Sequence, residues 1–266
     1  LTDVTGVQTC ALPIWDKNLV LIDLDSLFLV LLLFLIAILY SSVGHAGASG
    51  YLAIMAIFGI HPEIMRPAAL FLNIFVGLIA TYKFYKAKSF SFGIFLPLVV
   101  TSIPMSFFGG RMSLQEEIYR PIVGAILLFV AWNLIKTASK NTDYQLNPPS
   151  KLIISITGAL LGFISGLTGV GGGIFLSPLL LIFRWAPIQV ISGVAAGFIL
   201  VNSISALIGN ISVNTSIHPS LFIWTFSVII GGFIGAELGS KRLGNRVIYH
   251  LLGLVMVIGG LKMILL

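Results

Sequence analysis

The sequence predicts an all-α polytopic membrane protein: two inverted repeats, with about eight spanning helices and two short glycine-broken segments. Three observations carry that prediction. The 266-residue chain is 58% hydrophobic and only 9% charged, whereas a soluble domain carries about 25% charged residues. Its apolar residues fall in long runs with almost no charge inside them. Its two halves also match each other at a fixed offset of 125 positions.

Ten apolar segments follow in order: 27–43, 50–60, 66–84, 91–108, 120–137, 152–167, 173–184, 187–209, 218–238 and 246–266. A helix needs about 20 residues to cross a bilayer. Eight segments meet that need, and the second and seventh are too short. Each short segment follows a glycine-rich break, GHAGASG from Gly44 and GVGGG from Gly169. The run Val4 to Ile14, VTGVQTCALPI, resembles the translation of a sequencing-adapter oligonucleotide, so residues 1–15 are expected to be a non-native tail. Cys10 is the only cysteine, which excludes an intrachain disulfide and a cysteine-based metal site.

The polar linker KTASKNTDYQLNPPSK, residues 136–151, divides the chain near its middle, and Pro148 and Pro149 stop a helix running through it. This gives a first repeat over 16–137, a cytoplasmic linker over 138–151 and a second repeat over 152–266. Offset by 125, Gly44 falls on Gly169, Gly47 on Gly172, Phe58 on Phe183 and Pro62 on Pro187. Further on, Ser102 falls on Ser227, Phe108 on Phe233 and Gly110 on Gly235. Five segments per half is an odd number, so the halves are expected to be inverted in the membrane. The charges agree. Ten of the fifteen basic residues are Lys83, Lys86, Lys88, Lys136, Lys140, Lys151, Arg184, Lys241, Arg242 and Arg246. Placing them all in the cytoplasm alternates without conflict along the chain, if each short segment returns across the membrane with its long neighbour. The net charge of +6 is therefore an orientation signal and implies no nucleic-acid partner.

A glycine-rich turn can cradle a phosphate, but GLTGVGGGIFLSP, Gly166 to Pro178, lacks the context. A dinucleotide fingerprint needs a preceding strand and a later acid. Here a membrane helix precedes it, and no acid follows before Glu237. In a membrane, irregular backbone at depth is tolerated only where protein or a watered cavity receives it. Broken helices in inverted-repeat transporters aim their N-termini at an anion, because those ends carry free N–H groups and a positive dipole. Close packing through small residues is the competing explanation of the glycines.

On the anion reading the candidate substrate-binding residues are Gly44, His45, Gly47, Ser49, Asn73, Thr168, Gly169, Gly171, Gly172, Gly173, Asn202 and Ser203. His45 is the titratable side chain of the first break and is a candidate proton carrier. Asn73 and Asn202 are amides inside apolar helices, able to donate to an oxyanion or to a neighbouring helix. Ser177 flanks the second break, and Ser192 is a weaker candidate. Arg66 attracts anions at the outer mouth or, as the better reading, anchors at the interface by snorkelling. Arg184 and Trp185 read as an interface anchor. No Asp or Glu lies mid-span, which argues against a carboxylate proton relay, a cation transporter and a membrane enzyme. No catalytic residue, cofactor or metal is expected. The expected partners are the lipid bilayer and a small anion, with a homo-oligomer left open.

The stretches GLTGVGGGIFLSPLLL and SGVAAGFILVNSISALIG resemble the second-half signature of the sulfite exporter TauE/SafE family, and GHAGASGYLAIMAIFGIHPEIMRPAALFLNIFVGLIATYKF is similar to a variant of its first-half motif. The resemblance runs from about Leu27 to the C-terminus. It implies export of small sulfur oxyanions or organosulfonates across a bacterial inner membrane, with a transporter or channel for other small anions as the alternative. Where many members carry a glycine triplet in the first half, this chain has Ala46-Gly47-Ala48 and then Ser49.

Overall fold

The computed structural model describes residues 24–112, 114–137, 147, 149–213, 219–241, 254, 257–258 and 260–265. The expected tail and most of the linker lie outside this range. The long helices among the described residues are α1 (Leu24–Ser42), α3 (Pro62–Lys86), α4 (Phe92–Arg111), α5 (Glu116–Thr137), α6 (Lys151–Thr168), α8 (Ile188–Ile211) and α9 (Leu221–Lys241). Between them lie two short ones, α2 (Ala48–Ile57) and α7 (Gly173–Ile182). Among the described residues there is no strand. Six helices, α1, α3, α4, α6, α8 and α9, are long and apolar enough to cross a membrane. Eight were expected. Segment 120–137 is present as α5 but is not among those six, and segment 246–266 falls largely outside the described residues.

Local chemistry sets the helix ends. α3 opens with Pro62, whose missing N–H costs nothing at a first helical position. Ser150 caps α6 by accepting from the Ile153 amide at 3.4 Å. α1 and α6 both stop at a left-handed glycine, Gly44 with φ 79° and Gly169 with φ 77°. α2 and α7 have 10 residues each, and both start directly after a left-handed glycine, Gly47 or Gly172. Both then end in a left-handed residue, Gly59 with φ 71° and Arg184 with φ 59°.

α3 and α8 pack against each other at the centre. α4 lies on α6 and α8, whereas α9 lies on α1 and α3. The fourth helix of each half is thus packed against the opposite half. Glycines permit the approach. A Cβ on Gly158, Gly162 or Gly166 of α6 would lie 2.1–2.5 Å from a carbonyl oxygen of Leu98, Ser102 or Ser106 on α4. A Cβ on Gly231, Gly235 or Gly239 of α9 would meet the carbonyls of Phe34, Ile38 and Ser42 on α1 as closely. The largest buried core joins α1, α2, α3, α5 and α9, and a second joins α4, α6, α7 and α8. Large apolar side chains such as Leu152, Phe222 and Phe226 point outward, as a lipid-facing surface requires.

Candidate functional site

The two breaks are buried throughout, residues 43–47 in the first and 169–172 in the second. In the first, the His45 amide donates back to the Tyr40 carbonyl at 2.9 Å, closing the end of α1. Gly44 has no room for a side chain, since a Cβ there would lie 2.5 Å from the Ser192 carbonyl oxygen on α8. The Tyr51 ring folds over Gly47, and its hydroxyl donates to the Ala46 carbonyl at 2.7 Å. Ser49 donates to the Tyr40 hydroxyl at 3.0 Å, and the Tyr40 ring stands edge-on to His45.

The second break lies on the same central helix pair. A Cβ at Gly169 would lie 2.9 Å from Cγ of Arg66 on α3. At Gly171 it would lie 2.6 Å from Nδ2 of Asn73, with Ser203 Oγ at 3.5 Å. At Gly172 it would meet the Phe198 ring, and at Gly173 the Ile199 side chain, both on α8. Thr168 donates to the Ile164 carbonyl at 2.7 Å, and its own carbonyl accepts from the Tyr119 hydroxyl at 3.0 Å. The first amides of a helix have no acceptor inside it. At α2 and α7 the capping position is glycine, so no side chain supplies one, and the Gly173 amide that opens α7 donates instead to the Gly171 carbonyl at 2.9 Å.

A hydrogen bond joins the first break to α7, the helix that follows the second break. His45 Nε2 lies 3.0 Å from Ser177 Oγ, and Ser177 Oγ lies 3.0 Å from the Gly173 carbonyl oxygen. Ser177 has one proton to give. If it goes to Gly173, the His45 ring must donate; if it goes to His45, the ring accepts.

Asn73, Asn202 and Ser203 have no exposed surface. Asn73 donates to Ser203 Oγ at 3.3 Å, a bond between α3 and α8 beside Gly171. Asn202 instead donates to the Phe198 carbonyl of its own helix at 2.8 Å. The predicted residues thus gather in two groups. His45 and Gly173 meet through Ser177, and Gly171, Asn73 and Ser203 meet one another. Gly44, Gly47, Gly169 and Gly172 belong to the breaks, Ser49 and Thr168 flank them, and Asn202 lies on α8 next to Ser203.

Two readings are corrected. Arg66 does not snorkel, because it is only 5% exposed. Its guanidinium donates to the carbonyls of Gly166 (2.7 Å), Gly109 (2.6 Å), Gly110 (2.8 Å) and Met112 (2.7 Å). It therefore caps the C-terminal turns of α4 and α6, whose partial negative charge offsets its own. Trp185 is buried in the second core rather than set at an interface, while Arg184 is exposed. The sequence reading also missed Tyr40, Ser102, Ser106, Tyr119 and Ser165, which carry no motif. Among the described residues, none of the buried side chains is Asp or Glu.

The family model for sulfite exporter TauE/SafE matches residues 29–263. The chain belongs to the sulfite exporter TauE/SafE family. It is 35% identical over 246 residues to "Probable membrane transporter protein y4hK" of Sinorhizobium fredii, covering 91% of this chain and 99% of that one. It is 24% identical over 259 residues to "Probable membrane transporter protein YjnA" of Bacillus subtilis, covering 90% and 100%. It is 26% identical over 235 residues to "Probable membrane transporter protein MJ0441" of Methanocaldococcus jannaschii, covering 80% and 86%. No solved structure matches it. The TauE/SafE chain is thus a multi-pass membrane transporter in contact with the lipid bilayer.

Proposed function

We propose that this transporter moves small sulfur-containing anions, such as sulfite or organosulfonates, out across a bacterial inner membrane. The anion binds between the two breaks, held by the amides at the start of α2 and α7. One observation carries the reading: two buried helix N-termini lack a side-chain cap, and no buried carboxylate among the described residues opposes an anion. Oriented amides in a dry site favour negative charge without a lysine or a metal.

An internal repeat inverted in the membrane would give the two breaks one shared site, and the backbone is consistent with such a repeat. Left-handed backbone recurs at Gly44 and Gly169, at Gly47 and Gly172, and at Gly59 and Arg184, each pair 125 apart. Exchanging α1 with α6, α3 with α8 and α4 with α9 also carries the packing partners onto themselves. Such a pair of halves can rock about a central site and expose it to each side in turn. His45 is the group through which proton movement is linked to transport, since its partner Ser177 lies on α7 and ties the first break to the helix that follows the second.

The test is saturable uptake of radiolabelled sulfite into proteoliposomes holding the full chain. Sulfoacetate and sulfolactate compete, and acetate does not. Uptake that is absent, or that is equally rapid for cations, overturns the reading.

A further inference from the structure

Three helices of the second core, α4, α6 and α8, each leave a buried polar atom unpaired. Ser102 Oγ on α4, Ser165 Oγ on α6 and Asn202 Oδ1 on α8 are buried and have no hydrogen-bond partner. All three residues have no exposed surface. The register of the helices brings them together. Along α4 and α6, Ser102 faces Gly162 and Ser106 faces Gly166. Along α4 and α8, Ser106 donates to the Asn202 carbonyl at 2.9 Å, and Gly110 meets Ala206. Ser102 is therefore level with Phe198, one turn before Asn202. The Asn202 side chain leans back one turn to reach the Phe198 carbonyl. Ser165 completes the layer beside the second break, since a Cβ on Gly172 would lie 3.0 Å from Ser165 Cβ and 2.9 Å from the Phe198 ring.

The orientation of Asn202 is fixed by chemistry. Its Nδ2 faces a carbonyl oxygen, and turning the amide over would set oxygen against oxygen. Oδ1 must therefore face the other way, as a buried acceptor without a donor. Such groups are rare and call for a partner. A fully ionised sulfonate cannot be that partner, because its oxygens only accept. The two serine hydroxyls can serve an accepting or a donating ligand.

We infer that this α4–α6–α8 layer is a subsite for a hydrogen-bond donor carried on the substrate. It takes the O–H of a hydroxyalkyl sulfonate or of a hydrogen oxyanion, while the charged end lies at the amides of the breaks. The inference rests on the anion reading above and sharpens it to donor-bearing anions. It makes Asn202 a specificity-determining residue.

The experiment measures Kd by isothermal titration on the detergent-solubilised full chain for a matched pair, ethanesulfonate and 2-hydroxyethanesulfonate. The native chain binds the hydroxylated ligand about tenfold tighter, the worth of about one net hydrogen bond to a buried acceptor. The ratio falls to about one in Asn202→Leu. In Ser102→Ala, which removes only an unpaired hydroxyl and keeps the native melting temperature, it falls by at least about threefold. A native ratio of one overturns the subsite and leaves the anion reading standing. So does a tenfold ratio that survives both substitutions, which puts the donor elsewhere. A loss of stability in Ser102→Ala with the ratio intact assigns the layer to a structural water and overturns the subsite as well. Failure of both ligands to bind overturns the anion reading and this inference together.

Discussion

Replacing Arg66 with Met keeps the long stem and removes the guanidinium. Four carbonyl oxygens then lose a donor: those of Gly109, Gly110, Met112 and Gly166. They lie at helix C-terminal turns, where the last carbonyls have no partner in their own helix. A net hydrogen bond contributes about 1 kcal/mol, so the loss is about 4 kcal/mol. In a chain of this size each kcal/mol shifts the melting temperature by about 2–4 °C. Arg66→Met is therefore expected to melt about 8–16 °C below the native chain, read by thermal unfolding in detergent with size-exclusion detection. Arg66→Lys falls between the two, because an ammonium lacks the planar fork that serves two helix ends at once. A melting temperature within about 2 °C of native for Arg66→Met would refute the capping role and restore the surface-anchor reading.

Gly162→Ala places a Cβ 2.5 Å from the Ser102 carbonyl oxygen; it is expected to cost about 1–3 kcal/mol by overpacking in the same melt. Gly93→Ala, whose nearest atom is Ser91 Oγ at 3.8 Å, is the clash-free control and is expected to lose no stability. Arg184 holds a left-handed φ of 59°, so Arg184→Gly is expected to stabilise by about 1 kcal/mol and to raise the melting temperature. Protonated His45 adds positive charge beside the anion and turns both ring nitrogens into donors. With a sulfonate substrate, which stays ionised and so adds no titration of its own, any pH response of flux that His45 carries is therefore expected to be abolished in His45→Gln. Parallel profiles in the two chains would remove His45 from proton coupling.

Much of this fold is legible in the sequence because a membrane constrains it so strongly. Apolar run lengths place α1, α3, α4, α6, α8 and α9, and the glycine breaks place the starts of α2 and α7 to within two residues. The cross-packing of α4 on α6 and α9 on α1 is not legible in that way. Glycines at every fourth residue fit either close packing or a ligand site, and only the facing carbonyls decide which. Arg66 misleads because a cation next to Pro67 near a helix start looks like an interface anchor. Its partners are backbone atoms, which leave no mark in composition. Asn202 stands out in the sequence as an intramembrane amide, but its bond to Phe198 depends on a rotamer. Ser102 and Ser165 look like any small residues of a packed helix.

The most direct measurement of the central claim is anomalous diffraction from crystals of the full chain grown with selenite, a heavier analogue of sulfite. The account predicts one selenium peak within hydrogen-bonding reach of the amides that open α2 and α7, lost on competition with sulfite. A competable peak elsewhere, or none at a concentration that saturates transport, would contradict it.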